Sequence, residues 1–96
     1  MSKFKIQHQQ DGSIGSFTIA DGGNEIGLMS YTMISSKVMS IYHTEVDESA
    51  EGNGMGTQLV KAGVEYARKH DLKIEPACSF AQSVFKKQKD FADVLV

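Results

Sequence analysis

The stretch Glu51-Gly52-Asn53-Gly54-Met55-Gly56-Thr57 carries the most chemistry in this 96-residue sequence. Glycines at alternate positions let a backbone approach a ligand with no Cβ in the way. A helical period begins directly afterwards, and a helix start offers free N–H groups and the positive end of its dipole. Together these suit a phosphate or pyrophosphate; a plain loop and helix start is the alternative. Two other phosphate loops do not match. A Walker A loop needs Gly-Lys-Ser/Thr, and no lysine follows Gly56. A dinucleotide fingerprint is Gly-x-Gly-x-x-Gly early in a parallel βαβ unit. Here the spacing is Gly52-x-Gly54-x-Gly56, after four expected strands.

Two further residues have reactive side chains in suggestive places. Cys78 directly precedes Ser79, and Ser79 with Gln82 matches the Ser-x-x-Gln capping box of a helix start. The dipole there can stabilise a thiolate, which makes Cys78 a candidate nucleophile. A buried, inert cysteine is the alternative. His43 lies on the strand that enters the glycine turn and can take a proton from an amine near working pH. A strand histidine is also commonly a pocket wall. His43 shares its parity with Ile41 and Glu45; Glu45 and Glu48 are alternative bases. His8 and His70 have no ligand-like neighbours, and no metal site is expected. Lys86, Lys87 and Lys89 form a basic cluster that is either solvated or faces an anion.

The elements that must position these groups follow from periodicity. Phe4 and Ile6 alternate with polar residues, as in an edge strand. Asp11-Gly12 marks a turn, and Ser13 to Ala20 reads as a second strand. Asp21-Gly22-Gly23-Asn24 is the clearest turn. Glu25 to Ile34 carries apolar residues on both parities, as expected of a strand covered on both sides. Val38 to Val46 is the fourth strand. From Met55 to His70 the period becomes helical. Leu72 to Glu75 is one short strand ended by Pro76, a second helix starts at Ser79, and Asp90 to Asp93 adds a last helical turn. The order β-β-β-β-α-β-α predicts an α+β fold, with a mixed, mainly antiparallel sheet and helices packed on it.

Composition bounds the function. The length fits one domain over residues 1–96. Lys+Arg 10 against Asp+Glu 12 gives a net charge of −2, which speaks against wholesale nucleic-acid binding. One cysteine excludes an intrachain disulfide and fits a reducing cytosol. No signal peptide or membrane span is visible, so a cytoplasmic location is expected.

Three blocks taken together resemble a small, minimal branch of the GCN5-related N-acetyltransferase superfamily: Ile41 to Val46, the turn Glu51 to Gly56, and Pro76-Ala77-Cys78-Ser79-Phe80. The resemblance is strongest from Ile41 to about Asp90. It implies an acetyl-CoA site. Thr44, Glu45 and Val46 would offer backbone groups to the pantetheine arm and acetyl carbonyl. Gly52, Asn53, Gly54, Met55, Gly56 and Thr57 would wrap the pyrophosphate. Cys78, Ser79 and Phe80 would line the far side near the thioester, with Cys78 matching a cysteine proposed as catalytic. One departure is Glu51, where the superfamily usually has Gln or Arg; a carboxylate there repels a pyrophosphate unless it points to solvent.

The reading is then an N-acetyltransferase that moves an acetyl group from acetyl-CoA to a primary amine, with the cleft where the strand ending at Val46 diverges from Leu72 to Glu75. The acceptor is a small molecule or a protein amine. The alternatives are an acyl-CoA-binding or protein-interaction module without turnover, and a plain structural domain. The oligomeric state stays open, with a monomer as default.

Overall fold

The computed structural model describes residues 4–48 and 54–96. The chain runs β1 (Phe4–Asp11), β2 (Ile14–Asp21), β3 (Asn24–Ser35), β4 (Val38–Val46), α1 (Met55–His70), β5 (Lys73–Pro76) and α2 (Ser79–Lys87), then a 3-10 turn over Lys89–Val94. This is the α+β order expected from periodicity. The sheet keeps sequence order, β1-β2-β3-β4-β5. The first four strands are an antiparallel meander. β5 returns parallel to β4, as a helix crossover requires.

Alternation decides which face is covered. Phe17 and Ile19 of β2, Met29 and Tyr31 of β3, Met39 and Ile41 of β4 and Ile74 of β5 are all buried. They meet Leu59, Val60, Val64 and Ala67 of α1 and Ala81, Val84 and Phe85 of α2 in one cluster. Ser40, bonded to Glu75 across the β4–β5 ladder, is the buried exception of opposite parity. The expectation of a two-sided β3 is corrected here. Ile26 and Leu28 are only half-buried and Ile34 is exposed, so the helices cover one face among the described residues. The apolar character of the other parity therefore reflects a partly solvated sheet face.

Local chemistry sets the turns and ends. Gly22 and Gly23, with φ of 58° and 95°, make the β2–β3 turn in a region that L side chains avoid. α1 ends at Asp71, whose backbone N–H bonds to the carbonyls of Ala67 and Arg68. The chain's last residues return to the sheet: Leu95 bridges Ile74 in parallel, and the Val96 N–H donates to Ile74 O at 3.0 Å. No helix among the described residues is long and apolar enough to cross a membrane.

Candidate functional site

The site begins with one extra residue in β4. On β3, Met29, Ser30 and Tyr31 face Thr44, His43 and Ile41, so Tyr42 is left over as a β-bulge. The bulge reverses parity along β4. Before it, Met39 and Ile41 point into the core; after it, Thr44 and Val46 take the core side, opposite Met29 and Gly27. His43 falls on the open face, opposite Ser30. Its shared parity with Ile41, expected from simple alternation, is thereby corrected.

At the same point β5 leaves the sheet. The β4–β5 ladder ends at Ile41↔Pro76. The N–H groups of Ala77 and Cys78 both donate to Ile41 O, at 2.8 and 3.0 Å, and this turns the chain into α2. Among the described residues, β4 continues to Val46 with β3 on one side and no strand on the other. The result is a fork, as expected where the strand ending at Val46 diverges from the fifth strand. Its open β4 edge carries Thr44, Glu45 and Val46.

Cys78 stands at the crotch of the fork and is itself the N-cap of α2. Its Sγ accepts the Ala81 N–H at 3.4 Å and lies 3.4 Å from Thr44 Oγ1. The expected capping box is corrected in its cap residue: the helix starts at Ser79, but Cys78 caps it, and the Gln82 side chain donates to Pro76 O at 3.2 Å. The thiol is partly buried.

The second wall is the start of α1. Gly54 is its N-cap, with φ 75° and ψ 15°, and makes no side-chain cap. No acidic residue lies in the first turn, so nothing there opposes an anion. Met55 and Gly56 are buried and Thr57 is half-buried. A Cβ at Gly56 would overlap the Phe80 ring, so this glycine lets Phe80 lie across the first turn of α1. That contact brings the first turns of α1 and α2 together at the base of the fork. Glu51, Gly52 and Asn53 lie outside the described residues.

The remaining candidates are spread more widely. His43 Nε2 is 3.4 Å from Glu45 Oε2, and both side chains are exposed. No His, Asp or Glu among the described residues bonds to Cys78, so His43 and Cys78 are not brought together. Ser79 and Phe80 are both exposed on the first turn of α2. Lys86 and Lys87 occupy its last turn, and Lys89 follows it, at the end of α2 away from Cys78. No three His, Cys, Asp or Glu side chains among the described residues gather as a metal-ligand set. Periodicity missed the Thr44 hydroxyl and the Cys78 cap, because a bulge has no compositional mark and cysteine is a rare cap.

Comparisons agree with this architecture. Residues 16–94 match the family described as GCN5-related N-acetyl-transferase. The solution structure of a GCN5-like protein from Staphylococcus aureus is 34% identical and superposes with a TM-score of 0.76, covering 100% of this chain and 91% of that one. Protein NATD1 of Gallus gallus is 26% identical over 83 residues, 85% of this chain and 76% of the relative. A GNAT-family acetyltransferase from Elizabethkingia anophelis with acetyl-CoA bound shares the fold, with a TM-score of 0.70 at 16% identity, over 93% of this chain and 76% of that one. The forked sheet, the glycine-led helix and the match over residues 16–94 have one conclusion: the chain belongs to the GCN5-related N-acetyltransferase family.

Proposed function

We propose that this chain is an acetyl-CoA-dependent N-acetyltransferase that acts on a primary amine, with residues 1–96 working as one domain. The observation that carries the reading is the fork: among the described residues, β4 runs on beyond Ile41 paired with β3 but with no strand on its β5 side, and α1 starts with neither a side-chain cap nor an acidic first turn. Such an edge and such a helix end suit an extended amide-containing arm and a pyrophosphate, respectively. The described residues therefore fit acetyl-CoA. The E. anophelis relative with acetyl-CoA bound supports the same ligand class.

Acetyl-CoA supplies an activated acetyl thioester when bound. Thr44, Glu45 and Val46 hold its arm through the β4 backbone. The N–H groups of Met55, Gly56 and Thr57, with Gly52, Asn53 and Gly54 before them, take the pyrophosphate. Ser79 and Phe80 close the base of the cleft. Backbone N–H groups near Val46 stabilise the charge that develops on the carbonyl oxygen. His43, paired with Glu45, accepts the proton of the amine. Cys78 would line the cleft near the thioester, as nucleophile or as pocket wall.

One observation favours a second reading, an acyl-CoA-binding or protein-interaction module without turnover: His43 points away from the face that carries Cys78. Calorimetric titration with acetyl-CoA, followed by a screen for amine-dependent CoA release, decides between them. Saturable binding with acceptor-dependent release is the expected result. Binding without release for any amine selects the acyl-CoA-binding module, and absence of binding overturns both the enzyme and the acyl-CoA-binding module, leaving the protein-interaction module.

A further inference from the structure

We infer that the Thr44 side chain is a positioning group for the Cys78 sulfur, and that with the Ala81 N–H it forms a two-contact cradle that holds that sulfur in place. The inference rests on the proposed site at the fork, but it concerns the free protein and is tested without acetyl-CoA. Thr44 Oγ1 and Ala81 N each lie 3.4 Å from Cys78 Sγ, approaching it from β4 and from α2.

The Tyr42 bulge creates this contact. Strict alternation from Ile41 would put Thr44 on the open face, whereas the extra residue turns its side chain to the side of Met29 and Cys78. A β-branched side chain on a strand is stiff about χ1, so the hydroxyl oxygen is held beside the sulfur. The hydroxyl proton still rotates freely. Facing a protonated thiol, Thr44 can accept; facing a thiolate, it donates. The Ala81 N–H donates in both states and belongs to the first turn of α2, where the dipole also favours negative charge. A thiolate is the stronger acceptor, so both bonds strengthen when the proton leaves.

The test is alkylation of Cys78 by iodoacetamide at neutral pH, in which the thiolate sulfur bonds to the CH2 carbon and iodide departs. Rates are read by mass spectrometry for the parent and for Thr44→Val, Thr44→Ala and Thr44→Ser. The folded Val and Ala variants should react roughly tenfold more slowly than the parent and Ser within about twofold of it, the scale of one hydrogen bond to a charged group. In denaturant all four should react alike. Equal rates for the parent and both hydroxyl-less variants overturn the inference. A Ser variant as slow as Ala also overturns it, as does a parent thiol that reacts no faster folded than denatured. Titration of the parent with acetyl-CoA separates the two claims: failure to bind sinks the acetyltransferase reading and leaves the alkylation comparison standing.

Discussion

The phenol oxygen of Tyr31 lies 2.6 Å from Nε2 of His8, and this contact ties the edge strand β1 to the centre of the sheet. Tyr31 is fully buried, and Gly15 beside it has no Cβ because one would overlap the Tyr31 ring. His8 stacks on Phe17 at 4.3 Å and meets the edge of Tyr66, which in turn contacts His70. Burial first, and then the charge of His70, hold His8 below its ordinary range. Burial, and then Tyr66, push Tyr31 up to about 12.

The first prediction is a pH dependence of stability. The unfolded state binds a proton at His8 more readily than the folded state does. The contribution of His8 is therefore complete above its unfolded value of ~6.5 and is lost as pH falls through the lower folded value. At the alkaline end, the contribution of Tyr31 is intact below its ordinary 10.0 and is lost as pH rises toward about 12. Urea denaturation from about pH 5 to about pH 8 should show stability rising with pH, with a smaller slope for His8→Gln. An unchanged slope in that variant would place the titration elsewhere.

His8→Phe should strand the buried Tyr31 hydroxyl and destabilise the domain by about 1–3 kcal/mol. Adding Tyr31→Phe removes the stranded group and should recover much of the loss. Additive losses in the double variant would mean that the two side chains are not coupled.

A third prediction concerns Arg68. Its Nε and Nη2 grip the Asp93 carboxylate at 3.0 and 2.8 Å, and Nη2 also donates to Asp90 O at 2.7 Å. The hydrogen bond from Arg68 holds Asp93 below the usual carboxylate range. Lys cannot make this two-pronged grip. Arg68→Lys should therefore speed amide exchange at Leu95 and Val96, which hang from this turn, while α1 stays protected. The effect should vanish as pH falls through the depressed value of Asp93, because the carboxylate contributes only when ionised. Equal exchange at Leu95 and Val96 in parent and variant would show that the ion pair is not what secures the C-terminal residues.

How far the sequence carries can be judged residue by residue. β4 over Val38–Val46 and α1 over Met55–His70 match the expected spans, α1 because its helical period is clear. The α2 start at Ser79 was legible for a different reason than the one that operates: the real cap is the sulfur one residue earlier. The bulge at Tyr42 left no trace in composition, yet it decides that Thr44, and not His43, meets Cys78. Gly56 was readable as a glycine that permits close approach, but the described approach is that of Phe80. Pairings across 34 residues, such as Thr44 with Cys78, depend on register and are invisible to local spacing.

That Phe80 contact gives the fourth prediction. Gly56→Ala forces the ring away from α1, and overpacking of this kind costs about 1–3 kcal/mol. Phe80→Ala should relieve the clash, so the double variant should be more stable than the sum of the two single losses predicts. Strict additivity in thermal unfolding would mean that the ring does not depend on the missing Cβ.

The last prediction separates the two roles of Cys78. As N-cap, its Sγ accepts the Ala81 N–H, and Ser can do the same through Oγ while Ala cannot. Cys78→Ala should therefore lose about 0.5–2 kcal/mol of stability, and Cys78→Ser much less. Chemistry sorts the variants differently. If the thiol carries the acetyl group, incubation of the parent with acetyl-CoA leaves an acetyl mass on the Cys78 peptide. In that case both variants lose turnover, and Cys78→Ser keeps cofactor binding with the cap intact. If the thiol only shapes the pocket, Cys78→Ser keeps most activity and no acetyl mass appears. A stability loss that is equal in Ala and Ser would remove the capping role, because the oxygen would then be contributing nothing that the methyl lacks.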